Sequence, residues 1–254
     1  MSVIVRQADL AFQQNLYESR NPTRAWLHAQ RYDWITKQFE QLKLPALPRG
    51  LDVGVGGGRF TRLMLTRCAD VQAIDVNPLF VREALALDRS RVHAKLADIQ
   101  DWAAPATADV AICTEVIEHL PNTSRGLGNI YRCLRPGGCL ILTTPHRYST
   151  VELTARLLDS RIVAALARAI YREPVDALGH INCMTRAALL NVVNWVGFEV
   201  VHSANLGFYL PVLGEFGGQR AAKLFERIAT QLQHHPRASQ LLWTQAFVLR
   251  RPAR

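Results

Sequence analysis

Lysine is scarce in this 254-residue chain: only Lys37, Lys43, Lys95 and Lys223 stand among 30 basic residues, and no Lys/Arg run reaches five. That excludes a basic nucleic-acid tract. The formal net charge of +9 therefore selects by itself no partner among nucleic acid, anionic membrane and acidic substrate. No stretch approaches the roughly 20 apolar residues of a membrane span. The N-terminus offers only Val3-Ile4-Val5 before Arg6 and Asp9, so no secretory signal is expected. The five cysteines (Cys68, Cys113, Cys133, Cys139, Cys183) are odd in number, lack CxxC spacing and have no histidines near Cys133 and Cys139. Neither a zinc knuckle nor a disulfide framework is expected, and they read as reduced thiols of a cytoplasmic protein. Internal repeats and low-complexity linkers are absent. What is present is a 49% apolar, 20% charged composition, enough to bury a sizeable core in one large domain.

Three regions follow along the chain. Residues 1–49 read as an N-terminal helical cap, with a helix over 24–42 that starts at Asn21-Pro22-Thr23 and closes before Pro45 and Pro48. Trp26, Trp34, Ile35 and Phe39 supply its core-covering residues. Residues 50–144 alternate apolar strands (51–54, 71–76, 92–96, 109–113, 139–143) with helices (60–68, 78–87, 124–134), the pattern of a parallel sheet covered on both faces. From 150 a long amphipathic helix to 172 is expected, then helices over 186–196 and 220–233 and strands over 198–204 and 244–250. The expected fold is α/β: a doubly wound, Rossmann-like, mostly parallel seven-stranded sheet with one antiparallel strand and helices on both faces. The main domain is 50–254, with 149–184 a helical insertion or lid after the fifth strand.

Between the first strand and first helix lies Asp52-Val-Gly54-Val-Gly56-Gly57-Gly58-Arg59. Glycines there allow positive φ and close approach of backbone to a ligand, and the following helix N-terminus faces anionic groups. A dinucleotide GxGxxG starting at Gly54 would need glycine where Arg59 stands, so a nicotinamide cofactor is disfavoured. A second acid, Asp75 with Val76, ends the second strand about 20 residues on, and Asp98 with Ile99 follows the third. The run from Asp109 to His119 contains Thr114, Glu115 and Glu118, and Leu134-Arg-Pro-Gly-Gly138 turns into the fifth strand.

These five segments in this order resemble class I S-adenosylmethionine-dependent methyltransferases, in particular the ubiquinone-biosynthesis O-methyltransferase and small-molecule group. The resemblance covers about residues 48–145. It implies S-adenosylmethionine as cofactor, with Gly54, Gly56 and Gly58 beneath it and Asp52 orienting the loop or the cofactor's amino group. It further implies Asp75 and Val76 at the ribose, Asp98 and Ile99 at the adenine, and Thr114 on the cofactor side of the fourth strand.

Methyl transfer is an in-line displacement in which the protein aligns the acceptor and removes its proton. Glu115, Glu118 and His119 stand at i, i+3 and i+4, which is expected to bring them together on one helical face, and resemble the metal-binding E-x-x-E-H of small-RNA 2′-O-methyltransferases and of the ubiquinone-biosynthesis O-methyltransferases. With His180 as a downstream ligand they would hold Mg²⁺, Mn²⁺, Fe²⁺ or Zn²⁺ and lower the acceptor's pKa. In the alternative these residues cap or line the pocket without metal, and His119, His146 or His180 is the general base. In the 150–172 helix, Leu158, Ile162, Leu166 and Ile170 oppose Arg161, Arg168 and Arg172. That is either an ordinary docked helix or a lid in peripheral contact with an anionic membrane, admitting a lipophilic acceptor.

The leading expectation is O-methylation of a small or lipophilic hydroxylated metabolite. An RNA methyltransferase is the enzyme alternative, made less favourable by the lack of an RNA-binding module. A non-catalytic cofactor-binding protein is the alternative of another class. Oligomeric state is not readable from the sequence.

Overall fold

The computed structural model describes residues 19–158 and 181–253. Asn21 caps the first helix, α1 (Pro22–Gln41), its side chain accepting from the Thr23 N–H, and Pro22 occupies the first helical turn. Strands and helices then alternate: β1 (Arg49–Val53), α2 (Arg59–Leu65), β2 (Asp70–Asp75), α3 (Pro78–Leu87), β3 (Val92–Leu96), β4 (Ala108–Thr114), α4 (Thr123–Cys133) and β5 (Leu134–Pro145). After β5 come α5 (Thr150–Leu158), α6 (Arg186–Val196), β6 (Glu199–Leu206), α7 (Pro211–Phe216), α8 (Gly218–Leu232) and β7 (Thr244–Arg250).

The seven strands lie in the order β3-β2-β1-β4-β5-β7-β6. Neighbours from β3 to β5 are parallel, and β7 runs antiparallel to both β5 and β6. The expected doubly wound sheet with a single reversed strand is thus present. Register places the strand ends level: Val53 pairs with Ile74 and with Cys113, Asp75 with Leu96, and Thr114 with Thr143. The turns after β1, β2, β3 and β4 therefore emerge along one edge, and ligands of open α/β sheets bind at that edge.

Alternation along the strands feeds two cores. On one face Ala111, Cys113, Leu140, Leu142, Phe247 and Leu249 pack with Leu127 and Ile130 of α4 and Leu189 and Val193 of α6. On the other, Val110, Ile112 and Ile141 meet Ile35 and Phe39 of α1 and Phe60, Leu63 and Met64 of α2. The N-terminal helix thus closes one face of the sheet, and a third cluster joins its Leu27 to Phe208, Tyr209, Phe225 and Ala229. Trp26 and Trp34, grouped with Ile35 and Phe39 by their apolar character, are only partly buried, and Trp34 stacks on His202 of the edge strand at 6.0 Å.

One expectation needs correction, and one element was not expected. Between β6 and the expected 220–233 helix lies a further short helix, α7, whose Gly214 packs against the Tyr209 ring with no room for a side chain. Residues 115–119 are not an α-helix: β4 ends at Thr114, Glu115 adopts φ 54°, and only a 3-10 turn, Ile117–His119, follows. Of the expected 150–172 helix the first nine residues are seen, while Arg161, Ile162, Leu166, Arg168, Ile170 and Arg172 lie outside the described residues. No helix among the described residues is long and apolar enough to cross a membrane.

Phe39 is fully buried beneath the sheet. Phe39→Ala should cost about 3–5 kcal/mol, and Leu47→Ala, at a 77% exposed position, should stay within about 0.5 kcal/mol. Urea unfolding monitored by circular dichroism measures both.

Candidate active site

The turn after β1 needs three left-handed residues in quick succession: Gly54 at φ 81°, Gly56 at 51° and Gly58 at 74°. Gly54 is the least replaceable. Its N–H donates to the Ile74 carbonyl at 2.8 Å, and an added Cβ would stand 2.3 Å from Val116 Cγ2. The turn after β1 is thereby pressed against the turn after β4. Asp75 secures the other side, its Oδ2 accepting from the Gly56 N–H at 3.2 Å and its Oδ1 from the Asn77 N–H at 2.8 Å. Burial pushes the Asp75 carboxyl above its usual range, against those backbone donors. Each oxygen keeps a lone pair for a ligand hydroxyl.

Beside Asp75, the Val76 side chain is 62% exposed, an apolar face at a polar edge. Asp98 follows β3 and accepts from the Gln100 N–H at 2.8 Å. Ile99 turns inward to the core, so of that pair only Asp98 keeps to the edge. Asp52 also points inward. It is buried, its Oδ2 accepts the Thr61 hydroxyl at 2.5 Å, and burial raises its pKa to about 7, an increase opposed by the Thr61 hydrogen bond. Its part is to anchor α2 behind the glycine turn.

At the end of β4, Thr114 is half-buried and the expected i, i+3, i+4 cluster does not form. Glu115 Oε2 lies 3.1 Å from Arg31 Nη1 of α1, and its Oε1 accepts from the Thr143 hydroxyl at 3.0 Å. Glu118 turns inward, is fully buried, and its Oε2 accepts from the Thr144 hydroxyl at 2.9 Å. Burial first, then the nearby Glu115, raises the Glu118 pKa well above the ordinary carboxylate value. His119 stays at the surface with Nε2 4.0 Å from Glu118 Oε1. Among the described residues no three His, Cys, Asp or Glu side chains are grouped so as to hold a metal ion, and His180 lies outside them. With a guanidinium and a hydroxyl already on the two Glu115 oxygens, this donor set does not fit a divalent cation. The physical reason is backbone: three residues in a 3-10 turn cannot stack side chains as an α-helix would.

His146 is committed elsewhere. It is almost wholly buried, its Nδ1 accepts from the Tyr148 N–H at 3.1 Å, and burial with Arg186 nearby lowers its pKa to about 4. Among the described residues, His119 is therefore the candidate histidine that the edge presents outward.

A sequence signature described as a methyltransferase domain matches residues 23–203. The chain belongs to the class I S-adenosylmethionine-dependent methyltransferase family. Among related proteins, the mitochondrial ubiquinone biosynthesis O-methyltransferase of Schizosaccharomyces pombe is 28% identical over 150 residues, 57% of this chain and 53% of that protein. The ubiquinone biosynthesis O-methyltransferase of Xanthomonas oryzae pv. oryzae is 34% identical over 126 residues, 48% of this chain and 51% of that protein. The chain spans about half the length of the curated relatives it matches. Among solved structures, the N-methyltransferase NodS of Bradyrhizobium japonicum WM9 in complex with S-adenosyl-L-homocysteine is 17% identical, with a TM-score of 0.57. The likeness covers 97% of this chain and 96% of that one, and is a likeness of fold.

This family member carries site residues that were not legible in the sequence as a motif. Arg31, buried, reaches Glu115 from α1 and lies 5.8 Å from the Trp243 ring centre. A signal existed: Leu27, Arg31, Ile35 and Phe39 form an i+4 stripe, and a charge inside a buried apolar stripe needs a partner. Thr143, Thr144 and Gln245 gave no such signal, since strand-end polar residues are common. His28, whose pKa falls to about 3 through burial and then the Arg31 and Arg24 charges, was likewise unmarked.

Asp52 gives a direct pH test. Its carboxyl titrates near 3.8 when unfolded and about 7 when folded, so the folded state binds the extra proton between those values. Stability contributed by this group is therefore greatest below pH 3.8 and falls as pH rises towards 7. Denaturation midpoints of wild type relative to Asp52→Asn should decline across that window and level off above it.

Proposed function

We propose that this methyltransferase domain transfers the methyl of S-adenosylmethionine to a hydroxyl of a small metabolite. The observation that carries the reading is Asp75 bound to a glycine turn held at positive φ, with Asp98 two residues beyond its register partner Leu96. S-adenosylmethionine supplies a methyl already activated on a sulfonium. The chain's residues fit its adenosine: Asp75 takes ribose hydroxyl donors, Asp98 takes the adenine amine, and Val76 offers an apolar surface to the ring. Gly54, Gly56 and Gly58 allow the backbone to approach where a side chain would stand. Asp52 acts behind them, through Thr61.

The hydroxyl acceptor is supported by the O-methyltransferase names of the relatives. At the acceptor end Arg31 pairs with Glu115 and ties α1 to the turn after β4. We assign removal of the acceptor's proton to His119, the histidine exposed at this edge. No step passes through a metal ion.

Isothermal calorimetry with S-adenosylhomocysteine, and transfer of label from methyl-labelled S-adenosylmethionine to hydroxylated acceptors, test the reading. Asp75→Ala should weaken S-adenosylhomocysteine at least about 10-fold, the loss of roughly one charge-assisted hydrogen bond, with an unchanged circular dichroism spectrum. His119→Gln should leave that affinity in place and lower kcat about 10²-fold or more. Binding of NADH in place of S-adenosylhomocysteine would overturn the proposal.

A further inference from the structure

On the sheet face that Leu140, Leu142, Phe247 and Leu249 give to α4 and α6, the next residues outward are polar. They are Thr144 of β5 and Gln245 of β7, direct partners across the antiparallel ladder. Their side chains therefore stand side by side. Glu118 leans onto the same spot through the Thr144 hydroxyl at 2.9 Å. All three are sealed from solvent, at 1% exposure for Thr144 and 0% for Gln245 and Glu118.

The Gln245 amide has one possible orientation. Its Nε2 donates to the Met184 carbonyl at 2.9 Å and the Pro145 carbonyl at 3.3 Å. A flipped amide would set oxygen against both carbonyls, so Oε1 is fixed as a pure acceptor. That Oε1 and Glu118 Oε1 are both buried without a hydrogen-bond partner among the described residues. Buried polar atoms are almost always paired, and two orphans flanking one threonine at the ligand-binding edge mark a place for ligand atoms.

We infer that Gln245 and Glu118 are specificity-determining residues that together bind a hydroxyl group of the methyl acceptor. The inference rests on the methyltransferase reading and names what that same site selects. Gln245 Oε1 must receive a donor, which excludes an ether, a ketone or a carboxylate at this point. Glu118 Oε1 needs a donor if ionised and an acceptor if protonated, and a hydroxyl serves either state. A cationic amine would meet Gln245 but would lose its hydration among fully buried side chains, close enough to Arg31 for that charge to act on Glu118.

The test uses the full chain saturated with S-adenosylhomocysteine and two matched probe pairs of equal ring shape. These are phenol against anisole and catechol against 1,2-dimethoxybenzene, with dissociation constants measured by ligand-observed NMR titration. Wild type should bind each hydroxyl member at least about 10-fold more tightly than its ether, a difference of about 1.4 kcal/mol. Gln245→Leu should erase that preference by weakening the hydroxyl member alone, with S-adenosylhomocysteine affinity within two-fold of wild type. Gln245→Met, unbranched and closer in length, repeats the measurement should the leucine variant not fold. A wild type without the preference, or variants that keep it, would make the two residues structural and overturn the inference. Failure of wild type to bind S-adenosylhomocysteine would instead overturn the methyltransferase reading on which it rests.

Discussion

The backbone at Gly54 has to turn left-handed at the moment β1 ends, within contact distance of Val116 from the turn after β4. No side chain fits there, and the rest of the site is arranged around that restriction. The turn must be glycine-rich, which costs conformational entropy. The Asp75 carboxylate and the Ile74 carbonyl offset the cost by binding the amides of Gly56 and Gly54. Asp52, buried behind the turn, ties it to α2 through Thr61. A parallel sheet in level register then delivers the remaining polar groups to the same edge without further design.

The other end of the edge obeys a different constraint, the burial of charge. Glu115 and Glu118 enter the protein within four residues of one another, and a pair of ionised carboxylates there would repel strongly. The fold separates them electrostatically. Glu115 receives the Arg31 guanidinium from the covering helix, while Glu118 is buried against the Thr144 hydroxyl, and burial with the nearby Glu115 raises its pKa. The acceptor end thereby carries an ion pair, Arg31 with Glu115, beside a buried carboxyl that can change its hydrogen-bonding state. The N-terminal helix is consequently part of the site as well as a cover.

What was readable in the sequence is what short-range chemistry specifies. Strand-turn-helix alternation, the glycine spacing after Asp52, the acids at Asp75 and Asp98 and the proline-led helix starts are local, and the fold follows them closely. The misreadings arose where geometry depends on distant contacts. Residues 115–119 have helical spacing, yet the close approach of Gly54 to Val116 and the ion pair to Arg31 hold them in a tighter turn. Gln245 is one hundred residues from Pro145, and its significance exists only once β7 inserts beside β5. Arg31 lay within reach of inference, since its place in a buried stripe demanded a counter-charge, but the partner's identity needed the folded sheet.

The most direct measurement of the central claim is a crystal structure of the full chain grown with S-adenosylhomocysteine. The account predicts the adenosine across the ends of β1, β2 and β3, with its ribose hydroxyls on the Asp75 carboxylate and its adenine amine towards Asp98. It also predicts the sulfur directed towards Glu115 and His119. A ligand bound away from the Gly54–Gly58 turn, or one whose ribose leaves Asp75 uncontacted, would contradict it.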